Sequence, residues 1–180
     1  DLGTIAIPAP VVPELRAKTS NGRVIDALSG RLFALADRRD CGPIGLQDGE
    51  THWRPPLRPG EYTLQIDDGD GFAGRELQIS LRAGPPNQLD LMLEARARVS
   101  VTPRAADGLT LPRGLEFELL HQDGVRSKRS WNGVPLRFSL ADGRHRLAVL
   151  HDQLEGAIEI SADAQQAEPL ELVLTVTARR

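Results

Sequence analysis

Leu57-Arg58-Pro59-Gly60-Glu61-Tyr62-Thr63-Leu64-Gln65-Ile66 reads as a turn closed by glycine and followed by a strand. Tyr62, Leu64 and Ile66 alternate with Glu61, Thr63 and Gln65, the period-two pattern of a sheet with one buried face. The same plan returns at Leu140-Ala141-Asp142-Gly143-Arg144-His145-Arg146-Leu147-Ala148-Val149. Downstream, Leu77-Gln78-Ile79-Ser80 matches Ile158-Glu159-Ile160-Ser161, and Leu89-Asp90-Leu91-Met92-Leu93 matches Leu170-Glu171-Leu172-Val173-Leu174, both 81 positions on. Upstream, Gly30-Arg31-Leu32-Phe33-Ala34-Leu35 matches Gly114-Leu115-Glu116-Phe117-Glu118-Leu119, 84 positions on. An offset that drifts by only three residues marks an internal duplication, with copy one at residues 1–94 and copy two at 95–180.

Outward from these segments the chain keeps alternating. Leu77, Ile79 and Leu81 share a face, as do Ala97, Val99 and Val101, and as do Leu170, Leu172, Leu174 and Val176. Turn signals such as Asn21-Gly22, Asp48-Gly49, Asp123-Gly124 and Asn132-Gly133 punctuate these runs. Ser161–Glu168 and its counterpart Ser80–Gln88, which holds Pro85-Pro86, read as loops. The expected fold is all-β: two tandem antiparallel β-sandwich domains, immunoglobulin-like or prealbumin-like, of about seven strands each. The join Leu93-Glu94-Ala95-Arg96-Ala97 contains no Gly, Pro or Ser, which predicts a stiff, in-line tandem.

Composition narrows the function. The 180 residues are 40% hydrophobic and 26% charged, enough apolar surface to fold. Aromatics at 4% and a net charge of −3 argue against nucleic acid as a partner. No apolar run reaches the ~20 residues of a spanning helix, so direct membrane insertion is not expected. One cysteine excludes an intramolecular disulfide framework and a multi-cysteine zinc site. Arginine outnumbers lysine 20 to 2, the bias of a GC-rich, bacterial genome. The chain begins at Asp1 without a charged or apolar leader, which reads as a trimmed chain or a signal peptide already removed. The expected location is periplasmic or extracellular, with the cytoplasm left open.

The Leu-x-Pro-Gly-x-Tyr-x-Leu segment at Leu57–Leu64, with the later Leu89-Asp90-Leu91-Met92-Leu93, resembles carboxypeptidase-regulatory-like domains. These belong with transthyretin-like and collagen-adhesin B-type sandwiches and are similar to accessory repeats of bacterial envelope proteins. In copy two Asp142 replaces the proline and His145 the tyrosine. The resemblance implies a seven-stranded prealbumin-like sandwich serving as scaffold, spacer or binding module, with no catalytic residue to carry over. Collagen-adhesin B-type domains often hold a Lys-Asn isopeptide bond. Lys18 and Lys128, the only lysines, match no such strand position, and that bond is not expected.

Candidate binding residues are few. Arg126, Lys128, Arg129, Arg137, Arg144 and Arg146 cluster in copy two, which carries +1 against −4 for copy one. With Arg144 and Arg146 outward they would form a basic face with Arg137, either a solvated sheet surface or a dock for an acidic partner or polysaccharide. Trp53 and Trp131 would plug the cores or, exposed, stack on sugar rings. Asp67-Asp68-Gly69-Asp70-Gly71 has the letters of a calcium loop, yet Ile79 stands where an EF-hand needs its last acid. No other metal and no cofactor is expected. Gly69-x-Gly71-x-x-Gly74 opens no helix and is no dinucleotide fingerprint.

His52 and His121 read as structural. His145 and His151, read on one strand, would lie ~20 Å apart and could not share an ion. Cys41, Ser29 and Ser130 lack a neighbouring base and orienting group. Open edges are expected to be guarded by Pro8, Pro10, Pro13 or the arginine-rich strands.

The expected function is a non-catalytic interaction or structural module of a bacterial envelope or secreted protein. Its partner is another envelope protein or a larger parent chain. The alternatives are a carbohydrate-binding module and, behind it, an accessory part of a hydrolase.

Overall fold

The computed structural model describes residues 11–53, 56–84, 86–106 and 108–179. Every regular element is a strand, and the chain divides into two compact units between Glu94 and Ala95.

Copy one contains β1 (Pro13–Thr19), β2 (Val24–Ile25), β3 (Leu28–Ala34), β4 (Asp40–Gln47), β5 (Glu50–Trp53), β6 (Gly60–Ile66), β7 (Arg75–Leu81) and β8 (Asn87–Leu93). They form two sheets, β2-β1-β8 and β5-β4-β3-β6-β7. Alternate residues of both sheets meet in one core: Leu15 and Leu93 from the first, Leu32, Ile44 and Leu64 from the second. Burying side chains of this size supplies about 1.5–3 kcal/mol each, which explains why the alternation is kept so strictly.

Copy two contains β9 (Ala97–Ala105), β10 (Leu115–Leu120), β11 (Arg126–Trp131), β12 (Leu136–Leu140), β13 (Gly143–Leu150), β14 (Leu154–Glu155), β15 (Ala157–Ala162) and β16 (Leu170–Ala178). Its sheets are β12-β9-β16-β14 and β11-β10-β13-β15. Val101, Phe117, Leu147, Leu174 and Val176 fill a core of its own. The fold is therefore two tandem β-sandwiches, with eight strands in each copy among the described residues, one in each (β2 and β14) only two residues long.

One pair in each copy departs from antiparallel order. β1 runs parallel to β8, with Leu15 beside Leu89, and β9 runs parallel to β16, with Val99 beside Leu170. Local sequence cannot show this, because partners so far apart are brought together only by closure of the whole sandwich.

The pairing also corrects one repeat match. On the inner face, Leu32 pairs with Leu64, and Leu119 with Leu147. Leu32 is thus equivalent to Leu119 and Gly30 to Phe117, an offset of 87 rather than 84. The match of Gly30 with Gly114 would put exposed Glu116 in the place of buried Leu32. An odd slip moves every side chain to the opposite face. The offset of 81 for Leu77 and Ile158 does hold: they oppose Leu64 and Leu147.

Pro13 does not guard an edge. It opens β1, the middle strand of its sheet. Asn87 N–H donates to Val12 O, whereas Leu15 N–H points the other way, to Thr51 Oγ1 at 2.8 Å. The amide that Pro13 lacks would face away from β8, so its ladder loses nothing. Pro8 and Pro10 lie outside the described residues.

Candidate functional site

In each copy the turn before Gly60 or Gly143 and the strand after it carry the same tie. The Tyr62 hydroxyl donates to Arg58 O at 2.6 Å, four residues back across the turn. Burial raises the phenol above its ordinary range, and the group stays a donor. In copy two, His145 stands in place of Tyr62, and its Nε2 lies 2.9 Å from Ala141 O, again four residues back. A carbonyl only accepts, so His145 carries its proton on Nε2. Tyr62→Phe is expected to cost about 0.5–1.5 kcal/mol, the net worth of one hydrogen bond, read as a lowered urea midpoint with unchanged slope.

The exchange of Tyr for His has a second effect. His145 is 3% exposed, and its Nδ1 is buried without a partner. His121, just past β10, meets the His145 ring edge-on, with centroids 5.3 Å apart at 90°. His121 Nε2 lies 3.3 Å from Ser127 Oγ on β11. Burial first, and then the charge of His145, hold the His121 pKa below 6.5, with Arg96 acting the same way and Asp123 opposing. A histidine whose folded pKa is depressed binds fewer protons folded than unfolded. Its stabilisation is therefore complete above pH 6.5 and is lost as pH falls from 6.5 toward the lowered value. Copy two is expected to have a lower denaturant midpoint at pH 5 than at pH 7.5, and His121→Phe to flatten that dependence. Equal slopes in parent and variant would refute it.

The basic residues do not form one face. Arg126, Lys128, Arg144 and Arg146 lie on the outer face of β11-β10-β13-β15, whereas Arg137 lies on β12 in the other sheet. The outer face is mixed: Arg126 pairs with Glu118 at 3.3 Å and Arg146 with Glu159 at 3.7 Å. These exposed pairs are worth little individually, but they turn a basic run into a sheet surface of alternating sign. Arg129 opposes Phe117, on the inward side of the edge strand β11, and is exposed at the rim.

The two indoles are not equivalent. Trp53 ends β5 opposite Ile44, and Trp131 ends β11 opposite Leu115. Both are half-buried and packed on their cores.

The acidic loop is a turn. Asp68 Oδ1 accepts from Gly74 N–H at 2.7 Å, Asp70 O accepts from Arg23, and Asp67 N–H donates to Ser29 O. Among the described residues no three His, Cys, Asp or Glu side chains gather as they would to hold an ion. His151 lies beyond the end of β13, where its Nδ1 accepts from Gln153 N–H. His52 faces solvent on β5, and Cys41 Sγ lies 3.4 Å from Arg39 O.

No family model matches the chain, and no curated protein matches it in sequence. Solved structures similar to it include the shaft pilin SpaA of Lactobacillus rhamnosus GG. That protein is 8% identical with a TM-score of 0.46, over 97% of this chain and 99% of the pilin. The Bacillus anthracis TIE protein is 14% identical with a TM-score of 0.41, over 94% of this chain and 34% of that one. A streptococcal ancillary pilin is 13% identical with a TM-score of 0.40, over 93% of this chain and 62% of that one. The chain thus spans about a third of the Bacillus protein and less than two thirds of the streptococcal pilin.

Proposed function

We propose that the chain is a non-catalytic, load-bearing spacer and interaction module of a bacterial envelope or surface protein. Each copy is read as a transthyretin-like sandwich of the carboxypeptidase-regulatory-like kind. The reading rests on the parallel pairing of first and last strands in each copy.

Tension between the two ends of copy one draws β1 by its beginning and β8 by its end. Because these strands run parallel, the two pulls are opposed along the ladder, and its hydrogen bonds are loaded in shear. All seven paired positions from Pro13↔Asn87 to Thr19↔Leu93 then resist together rather than opening one at a time. β9 and β16 repeat the arrangement over Leu170↔Val99 to Val176↔Ala105.

Single-molecule pulling between the chain's ends tests this. The expected result is two cooperative ruptures, each releasing roughly 20–30 nm, the scale of a folded sandwich drawn out to about 3.5 Å per residue. Gradual extension at low force would sink the reading.

A further inference from the structure

The two copies differ at the sheet edge beside β4 and its counterpart. In copy one, β5 adds to the outside of β4, with Ile44 opposite Trp53, Leu46 opposite Thr51 and Gln47 opposite Glu50. The equivalent of β4 in copy two is β11: each pairs antiparallel with the strand that also pairs with β6 or β13. Nothing among the described residues pairs with the outer side of β11. The chain leaves Trp131 and goes directly to β12, which joins the other sheet beside β9.

The register shows what this edge presents. His121 N–H donates to Val125 O, so 121 and 125 are a hydrogen-bonded pair. Alternation along an antiparallel ladder then turns the backbone of Ser127, Arg129 and Trp131 toward β10. The N–H and C=O groups of Arg126, Lys128 and Ser130 point outward. Arg126, Lys128 and Arg129 are all exposed along the same strand.

We propose that β11 is the docking strand of copy two, and that it takes an extended acidic segment of another polypeptide. The segment adds antiparallel, in the place that β5 fills in copy one. Carboxylates at alternate positions of that segment would lie beside Arg126 and Lys128 on the outer face. Two β11 edges would instead set cations against cations, which disfavours self-pairing while leaving an acidic strand welcome. Main-chain bonds supply the attachment and the alternate side chains the selectivity. The inference rests on reading the chain as an interaction module and names the partner of one edge.

A peptide Thr-Glu-Val-Glu-Val-Glu-Thr with blocked ends, and the same peptide with lysine for glutamate, are titrated into the full chain at low salt. The acidic peptide is expected to bind, to weaken as salt rises, and to slow amide exchange at Arg126, Lys128 and Ser130 at least tenfold. Lys128→Pro removes an outward N–H and leaves the β10 ladder complete, so it is expected to lose at least tenfold in affinity with the protection of Ser127 and Arg129 kept. A second variant, Lys128→Glu, is expected to weaken binding of the acidic peptide without any change of backbone. No binding of the acidic peptide, equal binding of the lysine peptide, or protection at another edge would overturn the proposal. Those results would leave the pulling test untouched: shear resistance without peptide binding keeps the spacer and discards the docking strand.

Discussion

Phe117→Ala is expected to destabilise copy two strongly while copy one keeps its stability. Phe117 is 0% exposed and lies on β10 between Arg129 of β11 and Val149 of β13. Truncating a buried phenylalanine costs about 3–5 kcal/mol, from lost transfer energy and from the cavity left behind. Small domains hold only about 5–15 kcal/mol in total, so a large share of the stability of one sandwich is removed. The core residues of copy one form a separate cluster, to which Phe117 does not belong. Amide exchange resolved by residue checks this: β10, β13 and β16 are expected to lose protection, and β3, β6 and β8 to keep it. Joint loss in both copies would show one cooperative body, and the duplication would then be of sequence without independence of fold.

Gly30→Ala carries the second large effect. Gly30 occupies the place in copy one that Phe117 holds in copy two, opposite Ile44 and Ile66. A Cβ there would stand 2.5 Å from the backbone oxygen of Gln65, an atom that cannot swing aside as a side-chain tip can. Overpacking of this kind costs about 1–3 kcal/mol. For a domain of this size that is a fall in melting temperature of about 5–20 °C in copy one. Gly60→Ala is the matched control. Its Cβ would meet only Tyr62 Cε2 at an ordinary 3.7 Å, so it is expected to be neutral or to gain about 0.4–1 kcal/mol through the unfolded state. If both substitutions behave alike, the close approach of β3 and β6 at Gly30 is not the constraint inferred here.

The strands themselves were readable because burial acts residue by residue. Tyr62, Leu64 and Ile66 turn inward as their alternation demands, and so do Ala97, Val99 and Val101. What lay beyond reading depends on pairing between distant segments. The parallel ladders join Leu15 to Leu89 and Val99 to Leu170, and nothing local to either strand encodes its partner. The likeness of Gly30 to Gly114 is misleading because the shared letters fall on opposite faces of the strand. A check that buried positions fall on one face would have moved the alignment by three.

At the site, the substitution of His145 for Tyr62 was visible in the repeat. Its tie to Ala141 O was legible only through the tyrosine's tie to Arg58 O. The approach of His121 could not be seen, since β10 and β13 are separated by two whole strands. Arg137 is near Arg144 in sequence, but β12 crosses to the other sheet and takes it along. The two tryptophans were paired because each precedes a glycine-ended turn. They sit on non-equivalent strands: Trp53 on β5, which has no counterpart among the described residues of copy two, and Trp131 on β11, the counterpart of β4.

The parallel run of β1 beside β8 also limits how this unit can be rewired. The start of β1 and the end of β8 lie at opposite poles of their ladder, so a circularly permuted version cannot be closed by a tight turn. A new connection must travel the length of the seven-residue strand, some 23 Å at about 3.3 Å per residue, before the chain can begin elsewhere. Concatenation of one copy after another asks for no such return path.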